Sequence, residues 1–474
     1  MKTDNTELFE HMPVSKAVIT LIIPTVISQI ITVIYNMADT FFIGQMNDPN
    51  QVAAATLAMP PFVMLTGIAN LFGIGGASLI SRSLGTGDRE KAKKCAAFSI
   101  WSAAAVSFLY GIIMYLIRPV IFPLLGTDAN TYGYCSNYVL WTITIGGIPT
   151  VLNACLAHLV RAEGYSKEAS FGVALGGILN IIFDPVLIYP LKLGVTGAAI
   201  ATMLSNVIAM TYFMFLLQKN TERTVIKFSL RDYSLHQGIP KEILFVGFPS
   251  FVMMLMGVFS NTVLNRIVVS YSNQAIADMG IAKKIDMLAF AIANGMTQGV
   301  LPLIGYTYAA NKWKRMRAVI KTAFIYSVAV ALAGAVLLFV CAVPVVKGFI
   351  DDKETVAYGQ HFLRIICVTC PAVSVTMMII SVFQATGQKT RPMILSLLRK
   401  GGLDIPFMFL MNAVAGADGI PWATPIADSL AMGMALVLFI PYRKQLKETI
   451  AYDCRCRNMG KRRWIPTAAG RRGC

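Results

Sequence analysis

Apolar stretches long enough to cross a lipid bilayer follow one another along this chain, with short connections between them. A spanning helix needs about 20 mostly apolar residues, and 56% of the 474 residues are hydrophobic while only 14% are charged. That is more apolar surface than a soluble domain can bury. The sequence therefore predicts an all-α membrane protein with twelve transmembrane helices, at residues 16–42, 52–80, 94–117, 134–160, 169–189, 196–218, 242–270, 277–308, 318–342, 360–384, 391–411 and 420–441.

The basic residues predict how the chain is oriented. The net charge is +17, and if the N-terminus is cytoplasmic, most Lys and Arg residues fall in cytoplasmic connections, whereas Asp351 and Asp352 fall outside. This is the positive-inside pattern. It predicts a multi-pass protein of the cell membrane with both termini cytoplasmic, and it argues against nucleic acid as a partner. The basic tail is expected to contact membrane lipids.

The second half of the sequence repeats the first. Matching residues recur at a nearly constant spacing along the two halves: Lys16, Pro24 and Asn36 with Lys241, Pro249 and Asn261, then Gly194, Gly197, Ala201 and Thr202 with Gly416, Gly419, Ala423 and Thr424. The repeat predicts a six-helix lobe over 1–218, a cytoplasmic linker over 219–241, a second six-helix lobe over 242–441 and a tail over 442–474.

An even number of spans in each half places the pseudo-two-fold axis along the membrane normal. Substrate would then bind between the lobes, and rocking of one lobe against the other would give alternating access. The alternative is a duplicated bundle with no moving cleft, as also occurs in channels and membrane enzymes.

Two carboxylates lie inside predicted spans, where a charge is costly. Asp39 follows Asn36 on one helical face, and Asp184 follows Asn180 and precedes Pro185. Counting residues along the helices places both carboxylates and Thr202 at one level of the N-terminal lobe. This group can bind Na⁺ through hard oxygen ligands or take up a proton. The alternatives are that Asp39 is solvated near a helix end and that Asp184 caps the bend at Pro185.

The C-terminal lobe lacks these carboxylates at the equivalent positions. Leu264 corresponds to Asp39, and Gly402 and Pro406 correspond to Asn180 and Asp184. The buried carboxylates, and with them the cation site, are therefore predicted in the N-terminal lobe only. A two-residue change of alignment would bring Asp404 opposite Asp184.

The run from Pro24 to Gly44, with Met37-Ala38-Asp39-Thr40, resembles the multidrug and toxic compound extrusion family. It is similar to the bacterial branch that contains the DNA-damage-inducible and staphylococcal multidrug exporters. Arg161 to Gly164, Asn180 to Pro185 and Gly194 to Thr202 extend the resemblance over nearly the whole chain. The resemblance implies V-shaped lobes that export cationic, amphipathic drugs in exchange for H⁺ or Na⁺. It also implies that Asp39, Asp184, Asn180 and Thr202 form the cation site.

The sequence thus predicts a multidrug efflux antiporter that exports cationic or amphipathic small molecules, acts as a monomer, is not an enzyme and needs no cofactor besides the coupling ion. The candidate cation-coupling residues are Asp39, Asp184, Asn180, Thr202 and Asn36, and the candidate substrate contacts are Met256, Asn261, Met287 and Arg399.

One alternative function is that of a lipid-linked oligosaccharide flippase of the same superfamily, for which fourteen spans and a more basic cleft are expected. Another is a membrane enzyme, against which the lack of H-E-x-x-H, G-x-S-x-G and phosphate-loop motifs argues.

Overall fold

The computed structural model describes residues 7–46, 48–269, 271, 273–347 and 353–458, and every regular element in these ranges is helical. Asp351 and Asp352, and the tail beyond residue 458, lie outside the described residues. A short π-helix, Glu7–His11, comes first. The α-helices are α1 (Val14–Gly44), α2 (Pro49–Gly85), α3 (Arg89–Leu125), α4 (Tyr132–Val139), α5 (Gly147–Ala162), α6 (Ser166–Ile188), α7 (Gly194–Lys219), α8 (Ile239–Val269), α9 (Asn273–Ala309), α10 (Trp313–Val340), α11 (Ala342–Lys347), α12 (Lys353–Cys367), α13 (Cys370–Ala385), α14 (Thr390–Leu397) and α15 (Ile405–Asn458).

Within the described ranges, nine helices are long and apolar enough to cross a membrane, and two bent pairs raise the number to eleven. The fourth span is α4, a π-helical segment Leu140–Ile145 and α5, bent by 50°. The tenth is α12 with α13, bent by 40°. The spans therefore follow the predicted order, and the bends occur where α-helical hydrogen bonding is interrupted.

The remaining predicted span, 391–411, is built from α14, a π-helical segment Leu398–Asp404 and the beginning of α15. It carries Arg399, Lys400 and Asp404, which makes it less apolar than the other spans. Gly416, with φ 58° and ψ −138°, ends this part of α15 in a conformation that glycine tolerates and other residues avoid. The rest of α15, from Gly419 to Leu446, forms the last span.

The two lobes touch through closely packed helices, α1 on α9 and α2 on α8. A β-carbon on Gly247 of α8 would overlap the backbone oxygen of Leu71, and one on Gly75 of α2 would overlap that of Ile243. Small residues let helix backbones approach this closely in membranes. A hydrogen bond from Ser78 Oγ to the backbone oxygen of Gln384 (2.6 Å) joins the same surfaces.

These contacts lie toward one side of the bilayer, which we call the N-terminal face because α1 begins there. Among the described residues, α1 makes its inter-lobe hydrogen bonds and close glycine contacts through its first half, residues 15–29, and α2 makes them through its second half, residues 67–85. The remaining halves, residues 31–44 of α1 and 49–66 of α2, make no such contacts with the other lobe in the described structure. The lobes are therefore closed at the N-terminal face and diverge toward the opposite face.

The segment Glu7–Met12, which we call the clasp, bridges the two lobes at the N-terminal face. The buried Phe9 ring stacks on Tyr306 at 4.7 Å, and its edge lies close to Gly164 of the N-terminal lobe. Glu10 accepts a hydrogen bond from the Tyr306 hydroxyl (2.7 Å) and pairs with Lys312 (2.6 Å). The hydrogen bond from Lys312 and then that from Tyr306 hold the pKa of Glu10 below its usual value.

Arg315 of α10 holds the clasp through backbone oxygens. Its Nε donates to the oxygen of Phe9 (2.6 Å), and its Nη2 donates to those of Leu8 (3.1 Å) and Met12 (2.7 Å). A hydrogen bond to a charged donor contributes about 1.5–3 kcal/mol.

We therefore expect Arg315→Met to raise the hydrogen exchange rate of backbone amides in residues 7–12 at least about tenfold. Arg317→Met, an exposed arginine of the same helix, is the control; exchange that is equal in the two variants would contradict the role of Arg315.

The linker after α7 is anchored to the N-terminal lobe by Glu163, which follows α5 and is 2% exposed. Its carboxylate accepts hydrogen bonds from Thr224 Oγ1 (2.6 Å) and from the Val225 amide (2.6 Å). Burial raises the pKa of Glu163 to about 7, although the two hydrogen bonds oppose that change.

A raised pKa in the folded state makes stability depend on pH. Between its usual pKa and about 7, Glu163 binds a proton in the folded chain and releases it on unfolding, so its contribution to stability falls as the pH rises through this window. We expect Glu163→Gln to reduce the fall in thermal unfolding temperature between about pH 5 and pH 7.5. Glu222→Gln, an exposed linker residue, should leave that fall unchanged. If the unfolding temperature of Glu163→Gln fell with pH as steeply as that of the native protein, Glu163 would not be the residue responsible for the pH dependence.

Candidate cation and substrate sites

The four predicted cation-site residues come together in the half of the N-terminal lobe that faces away from the N-terminal face. Asp39 lies near the end of α1, Asn180 and Asp184 lie on α6, and Thr202 lies on α7. The Asn180 Nδ2 group donates to Asp184 Oδ1 (3.3 Å) and to Thr202 Oγ1 (3.3 Å). Asp184 is fully buried, and Asp39 acts on it electrostatically. The packing of α1, α6 and α7 therefore brings these residues together, as expected if they lie at one depth of the N-terminal lobe.

Three buried oxygen atoms in this cluster have no hydrogen-bond partner in the described part of the chain: Asp39 Oδ1, Asn180 Oδ1 and Asp184 Oδ2. An unpaired buried polar atom costs about 1–3 kcal/mol, and more if it is charged. Three such oxygens in one place therefore indicate a site for a positive charge. The buried Oδ1 atom also argues against the alternative that Asp39 is simply solvated at a helix end.

The donor set limits which cation can bind. Among the described residues, no group of three or more His, Cys, Asp or Glu side chains could hold a metal ion. The cluster instead offers two carboxylates, an amide and a hydroxyl. Hard oxygen ligands of this kind suit Na⁺, and two neighbouring carboxylates equally suit a shared proton, whereas transition metals prefer nitrogen and sulfur ligands.

The fifth predicted residue, Asn36, stands beside the cluster. Its amide donates to the backbone oxygen of Thr32 (2.8 Å), and no hydrogen bond in the described ranges joins it to either carboxylate. Two tyrosines that the sequence analysis missed also lie near both carboxylates. Tyr35 and Tyr138 both interact electrostatically with Asp39 and Asp184. Tyr35 could have been found from its position four residues before Asp39, but Tyr138, on α4, gave no such signal.

The four predicted substrate contacts are not gathered into one surface. Asn261 and Met287 are exposed, whereas Met256 packs against Gly401 of the π-helical segment. Arg399 is 2% exposed and lies inside the C-terminal lobe, where its Nε donates to Asp428 Oδ1 (2.7 Å). Asn261 and Met287 therefore remain predictions for the cleft surface.

At the base of the cleft, a cavity of about 30 Å³ lies between α2 and helices of the C-terminal lobe. This volume suits about two or three water molecules. Sequence reasoning missed its lining because the residues come from four helices and carry no charge. The polar side chains that line it are Asn70, Ser250, Asn294, Thr297, Gln298, Ser381 and Gln384, accompanied by methionines of α8 and α13.

The prediction that buried carboxylates occur only in the N-terminal lobe is wrong. Asp404 and Asp428 of the C-terminal lobe are 1% and 3% exposed. Asp404 accepts hydrogen bonds from Ser260 (2.6 Å) and Lys400 (3.2 Å). The π-helical segment Leu398–Asp404 interrupts the regular α-helix of this span. A simple offset places Gly402 and Pro406 opposite Asn180 and Asp184, and only the two-residue change of alignment brings Asp404 opposite Asp184.

Leu264, by contrast, is apolar and 3% exposed, and it belongs to a hydrophobic cluster with Ile267, Met408 and Ile420. The position equivalent to Asp39 is therefore sealed by apolar side chains. The buried residues Asp404 and Asp428 lie on the eleventh and twelfth spans of the chain instead.

Two helical lobes, a cleft between them and a buried oxygen cluster define a multi-pass membrane protein with the plan of a transporter. The chain belongs to the MatE family, whose model matches residues 24–186 and 249–410. The two matches begin at Pro24 and Pro249, a pair already identified in the internal repeat. The resemblance to the multidrug and toxic compound extrusion family is thus confirmed.

Relatives and solved structures agree with this assignment. The chain is 32% identical over 453 residues to the multidrug export protein MepA of Staphylococcus aureus (strain MSSA476), covering 94% of this chain and 98% of that one. MepA of Staphylococcus saprophyticus is 31% identical over 447 residues, with the same coverage.

Solved structures of MATE in the straight conformation and of an outward-facing multidrug resistance MATE family transporter of the MOP superfamily match with TM-scores of 0.88 and 0.86. Each is 25% identical and covers 94% of this chain and 100% of the matched chain. The predicted fold, twelve helices in two lobes, is confirmed.

Proposed function

We propose that this protein is a multidrug efflux antiporter of the cell membrane, which exports cationic or amphipathic organic molecules in exchange for H⁺ or Na⁺. The observation that carries the proposal is the set of three unpaired buried oxygens of Asp39, Asn180 and Asp184, within the described residues, beside an inter-lobe cleft. Membership of the MatE family and the similarity to proteins named as multidrug exporters support a transporter rather than an enzyme. One chain contains both lobes, so the monomer is the proposed working unit.

The N-terminal face is proposed to be cytoplasmic, because basic side chains concentrate there. They include Arg82, Lys91 and Lys312 together with the linker between the lobes. An excess of Lys and Arg marks cytoplasmic connections. The cleft of this conformation then opens to the outside, and the closed face with its clasp separates the cleft from the cytoplasm.

In this mechanism a cation entering from outside neutralises the Asp39 and Asp184 pair. Neutralisation removes the cost of burying two like charges, which favours a conformation in which the lobes close over the outer half of the cleft. Drug has to leave first because it holds the same walls apart. Each elementary charge that crosses with the membrane potential supplies about 2.3 kcal/mol per 100 mV. The face packed through Gly75 and Gly247 separates when the lobes rock.

The test is ethidium efflux from proteoliposomes in which a pH gradient and a Na⁺ gradient are imposed separately. The proposal expects at least one gradient to drive ethidium out, and the gradient that does so identifies the coupling ion. Protein-free liposomes are the control. Failure of both gradients to drive efflux of ethidium or of a second organic cation would contradict the proposed function.

A further inference from the structure

The C-terminal lobe contains a buried charged cluster at the place where the N-terminal lobe has neutral amides. In the N-terminal lobe, Asn153 of α5 donates to Asn206 of α7 (2.9 Å), and Gly176 of α6 lies beside Asn153. In the C-terminal lobe, Arg399 donates to Asp428 of α15, and Met377 of α13 lies beside Arg399.

These two groups occupy equivalent positions of the repeat. The spacing that pairs Asn180 with Gly402 places Arg399 opposite Gly177, which directly follows Gly176 on the same helix. Asn206 is likewise as far from Asp428 as Thr202 is from Thr424 on the same helices. An arginine thus stands in the second lobe where the first has a closely packed glycine.

The two lobes neutralise their carboxylates differently. Among the residues that the structure describes, no Lys or Arg side chain forms an ion pair with Asp39 or Asp184. Asp428 is paired with Arg399 at 2.7 Å, and both are nearly inaccessible to solvent. Buried charge requires a partner. The N-terminal lobe must take its partner from solution, whereas the C-terminal lobe carries one on its own chain.

We propose that Arg399 is a covalently attached counterion that occupies, in the C-terminal lobe, the role that the transported cation has in the N-terminal lobe. It thereby limits the protein to one exchangeable cation site, and its replacement by an uncharged residue creates a second site at Asp428. This inference rests on the proposed coupling by Asp39 and Asp184.

No other charged group described around Arg399 could take over its role of balancing the charge of Asp428. Asp286 of α9 and Asp404 of the π-helical segment act on Arg399 electrostatically, and both are acidic. Lys400 is the nearest other cation in the described region, and it is bonded to Asp404 at 3.2 Å. From α8, Ser260 supplies a neutral hydroxyl to the same Asp404. From α13, Cys370 contributes no positive charge. With Arg399 the cluster has two cations for the three carboxylates Asp286, Asp404 and Asp428, and without Arg399 only Lys400 is left to balance them.

The test measures whether the Asp428 carboxyl becomes open to a solution cation. The full-length protein in detergent is treated with dicyclohexylcarbodiimide, which modifies protonated carboxyls in apolar surroundings, and the modified residue is identified by mass spectrometry. Arg399→Met is expected to raise labelling of Asp428 at least about tenfold over the native protein, and Na⁺ or higher pH should reduce that labelling. Arg399→Lys, which keeps the charge, should behave like the native protein.

Folding is controlled with the double variant Arg399→Met/Asp428→Asn, which removes both charges. If Arg399→Met does not fold but the double variant does, the loss came from the uncompensated carboxylate, and the proposal is supported. Equal labelling of Asp428 in folded Arg399→Met and in Arg399→Lys would overturn it. So would misfolding of both Arg399→Met and the double variant, since Arg399 would then act through packing. Labelling requires no transport, so this outcome is separate from any failure of coupling at Asp184.

Discussion

Asp184→Asn is expected to reduce gradient-driven ethidium efflux from proteoliposomes at least about tenfold. This factor lies within the range by which binding at one site, here the cation site, typically changes binding at another, here the drug site. The amide keeps the size of the side chain and can still hydrogen-bond with Asn180, but it cannot carry the negative charge that attracts the cation. Efflux driven by either gradient should therefore approach the rate of protein-free liposomes.

Stability distinguishes this loss from misfolding. The native Asp184 is fully buried and has one oxygen without a partner among the described residues, so its removal is expected to leave the thermal unfolding temperature unchanged or raised. The matched control is Asp48→Asn, where the carboxylate caps α2 by accepting from the Asn50 amide (3.0 Å). Asparagine is an equally good cap, so efflux should stay native. Native efflux by Asp184→Asn would contradict the assigned role.

Gly247→Ala is expected to open the closed face. The added β-carbon would overlap the Leu71 backbone oxygen, and a backbone atom can give way only if α2 and α8 separate. Overpacking of this kind costs about 1–3 kcal/mol or more. We expect a lower thermal unfolding temperature and efflux reduced at least about tenfold.

Gly257→Ala is the matched control on the same helix, since a β-carbon there would have no neighbour within 4 Å outside its own helical turn in the described structure. Alanine is preferred to glycine in helices by up to about 1 kcal/mol, so this variant should be as stable as the native protein or slightly more stable. If Gly247→Ala and Gly257→Ala behave alike, the tight packing of α2 on α8 is not what closes the face.

The sequence allowed the spans and the N-terminal cluster to be predicted because both leave local signals. Apolar runs have a length set by the bilayer. Asp39, Asn180 and Asp184 were identifiable because carboxylates inside such runs are costly. Helical spacing was enough to place Asn180 and Asp184 on one face, and counting along the helices placed Thr202 beside them.

Other features depend on contacts between distant segments and could not be predicted in this way. The clasp is held by Arg315 through backbone oxygens, which have no sequence signature. Asp428 lies in a span whose equivalent in the first lobe has Asn206, so the search for a second copy of Asp184 missed it. The π-helical segment Leu398–Asp404 interrupts the regular α-helix of its span, and the simple offset did not find the carboxylate at its end.

The central claim is that cation binding at Asp39 and Asp184 and drug binding in the cleft oppose each other. The most direct measurement is the ethidium Kd of the purified protein over a range of pH and Na⁺ concentration, compared with that of Asp39→Asn/Asp184→Asn. The account predicts that the coupling cation weakens ethidium binding to the native protein by about 5–150-fold and has no effect on the double variant. An ethidium Kd that is independent of both cations in the native protein, or equally dependent on them in the double variant, would contradict it.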